Sequence, residues 1–163
     1  MKFDELDLGS NQYVTGIHEN GGNSLIIDIC AGIVESIPDE EREKRLAASN
    51  DPVERLYTSA NAIRVDKSVI WRIVFDDYVA FQVLNESYDG APEGPVYRNR
   101  KFRIFDASMY LDHVRCTALV KEVAELYSDG DPARHYGIWS LNHIVDVVSC
   151  KAPEISVIYK ART

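Results

Sequence analysis

Alternating apolar and polar positions near the start of the chain predict a β-hairpin. Residues 12–18 (QYVTGIH) favour a strand, and residues 24–31 (SLIIDICA) place Leu25, Ile27 and Ile29 on one face. The intervening ENGGN contains an Asn-Gly pair, which is typical of the turn between two antiparallel strands. This part of the sequence therefore predicts two paired strands.

The next two segments have the patterns of helices. In PDEEREKRLAA, residues 38–48, acids precede bases as the helix dipole favours, and Leu46 is the one large apolar residue. That helix is expected on the surface. In NDPVERLYTSA, residues 50–60, Asp51 suits the N-cap position. Apolar positions at helical spacing predict one buried face, formed by Val53, Leu56, Tyr57 and Ala60.

A strand pattern returns in VIWRIVFDDYVAFQVLN, residues 69–85. It predicts two strands, 69–75 and 78–85, joined at Asp76-Asp77. Further short strands are predicted at 62–65, 101–105 and 155–159. A helix is predicted from near Ser108 to about Tyr127. Its apolar stripe shifts so far along this length that the helix either breaks near Thr117 or is covered on two sides.

The stretch HYGIWSLNHIVDVVS, residues 135–149, combines residue types that metals and acid–base mechanisms use. If it is one strand, His135 and His143 lie about 26 Å apart at roughly 3.3 Å per residue, and Asp146 faces the other way. A tight hairpin would bring the histidines together, but its turn would centre on Trp139, a poor turn residue. The stretch is therefore interpreted as a structural strand, in which either histidine can still meet a residue from another strand.

Strand runs with helices grouped between them predict an α+β fold. We expect a largely antiparallel sheet of about six to eight strands with two or three helices. The chain has 163 residues, which is about one domain's worth, so residues 1–163 are interpreted as a single domain.

Charge and cysteine content narrow the function classes. A net charge of −8 disfavours nucleic acids and anionic membranes and favours a basic protein partner. No apolar run approaches the roughly 20 residues of a membrane span, and the first residues lack the pattern of a secretory signal. Three cysteines without a CxxC pair predict free thiols in a reducing compartment, so we expect a cytoplasmic protein.

Motifs that fix a reaction are missing from the sequence. There is no GxxxxGK[ST], GxGxxG, HExxH, GxSxG or paired CxxC, so no metal and no cofactor is predicted and the protein is expected not to be an enzyme. One alternative stays open, a small enzyme or ligand-binding domain. Its pocket would be formed by Glu86, Tyr88, Arg103 and His143.

Three sequence runs carry a resemblance to known proteins. They are F-x-x-Y-x-A-F-x-V-x-N-E-S-Y at 75–88, S-x-x-L-D at 108–112 and N-H-I-V-D-V at 142–147. Through these runs the chain resembles a set of small bacterial proteins of unknown biochemical activity. The resemblance extends from about Ile63 to Ile155. In size, acidic charge and lack of catalytic motifs it also resembles immunity proteins of bacterial toxin systems, such as contact-dependent inhibition.

That resemblance implies a protein that binds the C-terminal domain of a cognate toxin, expected to be a basic nuclease, and neutralises it. Opposite charges would speed the encounter between the two proteins. The expected partner contacts are acids predicted to be exposed, namely Asp39, Glu40, Glu41, Asp76, Asp77, Asp89 and Glu93.

Overall fold

A computed structural model describes residues 3, 6, 8, 9, 11–48, 50–88, 96–98, 101–118 and 133–159. Within them lie β1 (Gln12–Asn20), β2 (Ser24–Glu35), α1 (Asp39–Ala47), α2 (Pro52–Ser59), β3 (Ala62–Asp76), β4 (Tyr78–Asn85), β5 (Val96–Arg98), β6 (Phe102–Ala107), α3 (Met109–Thr117), β7 (Arg134–Trp139), β8 (His143–Ser149) and β9 (Glu154–Tyr159). A 3-10 turn, Glu86–Tyr88, follows β4.

The strands form two antiparallel sheets. The first sheet has the order β1-β2-β3-β9, and the second has the order β4-β8-β7-β6-β5. The predicted α+β fold is confirmed, and so is the hairpin of β1 and β2, in which Asn20 lies opposite Ser24. Gly22 and Asn23 have positive φ angles of 85° and 63° in that turn, a conformation that glycine and asparagine accept most readily.

The corner between β3 and β4 connects the two sheets. Asp77 alone separates the strands and has a φ of 55°, in the left-handed region. Instead of pairing with each other, β3 pairs with β2 and β9, whereas β4 pairs with β8. The two strands predicted for this segment exist, and the segment 62–65 is the first part of β3. The register of β2 against β3 shifts between Ile29 and Ala31.

The main core lies between the two sheets. Its buried side chains come from alternating positions on both, namely Leu25, Ile27, Ile29, Ile73 and Phe75 on the first sheet and Phe102, Ile104, Tyr136, Ile138, Val145 and Val147 on the second. Phe3 packs its ring edge-on against Phe75, Phe102 and Tyr136, with centroids 5.3 to 6.1 Å apart. Such contacts add about 0.5–1.5 kcal/mol each beyond the area they bury.

Helix α3 covers the outer face of the second sheet. Leu111 and Val114 are buried there in a smaller cluster with Ala133, Val148 and Cys150. The sheet is therefore covered on both faces, which explains why all positions of β8 after His143 are buried. The helix ends at Thr117, which agrees with the predicted break, and residues 119–132 lie outside the described part of the chain.

The single strand predicted for residues 135–149 is wrong, because this stretch forms the hairpin of β7 and β8. Its turn lies at residues 140–142, not at Trp139. The side chain of Asn142 accepts from Val14 N at 3.0 Å and donates to Val14 O at 2.8 Å, and Leu141 N donates to Gln12 O at 2.8 Å. The turn is therefore stabilised by β1, more than 120 residues away in sequence.

The buried face predicted for α2 is also wrong. Val53, Leu56 and Tyr57 are 61%, 69% and 76% exposed, and Ala60 is exposed as well. The helix is real, and Asp51 caps it by accepting from Val53 N at 2.8 Å. Its apolar stripe lies at helical spacing, but it stays exposed among the residues that the structure describes. Helix α1 is on the surface as predicted.

No helix in the described residues is both long enough and apolar enough to span a membrane.

Candidate functional site

The acids predicted to contact a partner lie at two places in the described structure. Asp39, Glu40 and Glu41 occupy the exposed first turn of α1, and Asp76 and Asp77 form the β3–β4 corner. Asp89 and Glu93, also predicted as contacts, lie outside the described residues.

Three of the five described acids already pair with cationic side chains of the chain. Arg42 lies 3.5 Å from Asp39, and Arg45 lies 3.0 Å from Glu41. At the corner, Lys151 pairs with Asp77, and that hydrogen bond raises the pKa of the lysine. The negative charge at both places is thus partly neutralised by neighbouring cations, which weakens an interface that relies on charge alone.

The four residues of the alternative pocket are distributed over several elements. Glu86 and Tyr88 lie on the exposed 3-10 turn, where Tyr88 is 85% exposed. His143 begins β8 opposite Asn85, so it lies near Glu86 along the strand pair. Arg103 is on β6, two strands from β8, and its guanidinium lies 3.7 Å from the centroid of the Trp139 ring.

A row of polar side chains lies under the N-terminus of α3, on the outer face of the second sheet. Ser108 Oγ is 2.7 Å from His135 Nδ1, and His135 Nε2 is 2.9 Å from Asp146 Oδ1. Gln82 Nε2 donates to the other carboxylate oxygen of Asp146 at 2.9 Å. The order serine, imidazole, carboxylate is the one that activates a serine hydroxyl in acyl-transfer enzymes.

The register of the strands explains why these residues meet. His135 lies opposite Val148 and Gly137 lies opposite Asp146 on β7 and β8, so His135 and Asp146 are diagonal neighbours on one face. Gln82 lies opposite Asp146 on β4. The expectation that strand geometry separates His135 from Asp146 is therefore corrected, because the intervening turn reverses the chain.

Aromatic rings hold the imidazole in place. The ring of Phe105 stacks on His135 with centroids 4.1 Å apart and an angle of 9°, and Tyr110 contacts it edge-on at 5.4 Å. His135 and Asp146 are only 3% and 5% exposed, whereas Ser108 is half-buried. The row thus runs from the protein surface at Ser108 into the interior at Asp146.

Tyr110 adds a neutral hydroxyl beside this row. Burial, and after it the negative charge of Asp146, raises the pKa of Tyr110 to about 12. The hydroxyl therefore keeps its proton throughout the physiological pH range. No three His, Cys, Asp or Glu side chains lie close enough to hold a metal ion in the part of the chain that the structure describes.

A second notable surface is the arm, defined as residues 31–64, which comprises the far ends of β2 and β3 together with α1 and α2. None of its described residues is buried. Eleven large apolar side chains are exposed in the described part of the chain, and six of them lie in the arm, so exposed apolar surface is concentrated there. These six are Ile33, Val34, Val53, Leu56, Tyr57 and Ile63.

Comparisons with known proteins add no relative. No family model, no curated protein and no solved structure matches this chain.

Proposed function

We propose that this chain is an immunity-type binding protein, which attaches to a basic toxin domain in the cytoplasm and neutralises it. A nuclease domain is the expected partner, because nucleases that bind phosphate backbones carry basic surfaces. The proposal rests on the resemblance in size and charge described above and on one structural observation, the exposed apolar surface of the arm.

The apolar stripe of α2 supports a protein partner. Val53, Leu56 and Tyr57 would each bury substantial area against another protein, and an exposed cluster of this kind marks an interaction site more often than scattered single residues do. Tyrosine is enriched among the residues that dominate binding energy, so Tyr57 is the expected anchor.

The charges around the stripe suit a basic partner. The acids of the first turn of α1 lie on the neighbouring helix, and the whole chain carries a net charge of −8. The ion pairs within α1 reduce the local field, so the long-range attraction comes from the net charge of the molecule. The expected interface therefore has an apolar centre on α2 and an acidic rim on α1.

Two measurements test the proposal. The chain is co-expressed with the toxin domain encoded beside its gene, and we expect a stable complex on purification and survival of cells that otherwise die. If no complex forms and the cells are not protected, the proposed function is wrong.

A matched pair of variants tests the role of the arm. L56A/Y57A is expected to weaken the complex, because it removes two side chains from the apolar surface without touching the core. L84A/Y159A is the control, since Leu84 and Tyr159 are 48% and 77% exposed and lie outside the arm. Equal affinities for the two double variants would place the interface elsewhere.

A further inference from the structure

We propose that Ser108 is a nucleophilic serine, activated by His135 and positioned by Asp146, that accepts acyl groups from small carboxylic esters. This activity is independent of the proposed binding function. It is inferred from the row Ser108–His135–Asp146, in which both hydrogen bonds are shorter than 3 Å.

The donors and acceptors of the row are consistent with an activated hydroxyl. The Asp146 carboxylate can only accept, so the imidazole donates to it from Nε2. In the neutral ring, Nδ1 then carries the lone pair and accepts the proton of the Ser108 hydroxyl. The general base is thus Nδ1, and the carboxylate orients the ring from its far side.

The exposed end of the row lies at Ser108. His135 and Asp146 are buried beneath α3, whereas Ser108 is half-buried and lies between the exposed residues Ala107 and Met109. A small ester would therefore reach the row at Ser108. Ser108 is also the N-cap of α3, and its Oγ accepts a hydrogen bond from Leu111 N at 3.0 Å. This first-turn N–H group favours negative charge on the reacting oxygen.

The proposed reaction is acyl transfer from the ester to serine and then to water. Ser108 Oγ forms a bond to the ester carbonyl carbon while its proton moves to His135 Nδ1. The C–O bond to the alcohol breaks, and the alcohol leaves with that proton. Water then attacks the acyl carbon and gives a proton to His135 Nδ1. The bond between the acyl carbon and Ser108 Oγ breaks, and Oγ takes that proton back. The products are a carboxylic acid and an alcohol, the serine is restored, and no oxidant or reductant is needed.

The test uses a fluorophosphonate probe, which forms a covalent bond with activated serines, and p-nitrophenyl acetate as the ester. The folded full-length chain is incubated with each, and mass spectrometry locates the adduct. We expect one phosphonyl adduct on Ser108, together with ester hydrolysis that S108A abolishes. S24A is the matched control, because the hydroxyl of Ser24 contacts the Asp76 carboxylate without an intervening imidazole.

The conservative variant D146N tests the positioning role. If Asp146 acts through the imidazole, D146N lowers the maximal rate of probe labelling by about 10²-fold and leaves the concentration for half-maximal rate unchanged. Circular dichroism checks that the variant is folded. The proposal is overturned if folded wild-type protein gains no adduct on Ser108, or if D146N is labelled at the wild-type rate.

Discussion

At the scale of single residues, the strongest constraint is the buried carboxylate of Asp146, which accepts from both His135 and Gln82. D146A leaves two donors without an acceptor, the buried His135 Nε2 and the half-buried Gln82 Nε2. We expect it to lower the free energy of unfolding by about 2–4 kcal/mol, since each unsatisfied buried group costs about 1–3 kcal/mol. Urea unfolding measures this cost. D146N keeps the shape of the side chain and one acceptor, so it should lower the free energy of unfolding by less than D146A does. Equal losses of stability in the two variants would contradict the explanation.

Gly137 is a second residue whose identity the packing determines. A Cβ at this position would lie 2.2 Å from Trp139 Cζ3 and 2.9 Å from Phe105 Cε2, and Arg103 covers the Trp139 ring. G137A is therefore expected to displace the indole and to cost about 1–3 kcal/mol. Thermal unfolding gives the cost, and the tryptophan emission maximum reports the displacement. G21A is the control, because a Cβ there meets no atom within 4 Å, and a comparable loss in G21A would count against the packing argument.

At the scale of elements, the contact between α3 and the second sheet gives a pH dependence. Tyr110 lies on α3, and its pKa is raised from 10.0 to about 12 by burial and then by Asp146. Well below pH 10 both the folded and the unfolded chain hold this proton, so Tyr110 makes its full contribution to the free energy of unfolding. As the pH rises towards 12, the unfolded chain loses the proton first, and the stability falls.

Y110F should therefore flatten the decline of stability between pH 9 and pH 11.5, measured as the urea midpoint at each pH. Part of the decline remains in Y110F, because the hydrogen bond to Glu19 also raises the pKa of Tyr78. Y78F is the matched variant, and it should keep the part of the decline in stability that comes from Tyr110. A wild-type curve identical to that of Y110F would show that Tyr110 does not titrate in this way.

The elements themselves were largely predictable from the sequence, because local periodicity determines them. The hairpin of β1 and β2, the cap Asp51 and the start of a helix near Ser108 agree with their predictions. The α2 stripe was correctly placed on one face, but its burial was not predictable, since periodicity shows that a face is apolar and not what covers it.

The candidate site was less predictable because it depends on contacts between distant parts of the chain. The turn after β7 is held partly by the bonds of Asn142 to Val14, and without that turn His135 and Asp146 would lie far apart. Ser108 was recognised as the start of a helix, but its distance from His135 depends on the pairing of β6 with β7. The polar residues Ser140 and Asn142 within an otherwise apolar stretch were a local indication of the turn.

At the scale of the whole molecule, the row of Ser108, His135 and Asp146 and the exposed apolar surface of the arm lie in different regions. The row from Ser108 to Asp146 lies under α3 on the second sheet, whereas the arm extends from β2 and β3 of the first sheet and adds nothing to the described core. A substitution in the arm therefore leaves the core packing unchanged, and a substitution in the row leaves the apolar surface of α2 unchanged. This separation allows each proposal to be tested without disturbing the other.

The same separation predicts how a complex with a basic toxin domain responds to charge and to apolar contact. The triple variant D39N/E40Q/E41Q removes three negative charges at the rim, so it should slow association several-fold at low salt and reduce its salt dependence, since salt screens such steering. L56A/Y57A should instead speed dissociation by about 10–100-fold, because anchors of this kind contribute roughly 2 kcal/mol or more. Stopped-flow measurements at 20 mM and about 300 mM salt separate the two rates. If the charge variant changes only dissociation and the apolar variant only association, the division into an acidic rim and an apolar centre is wrong.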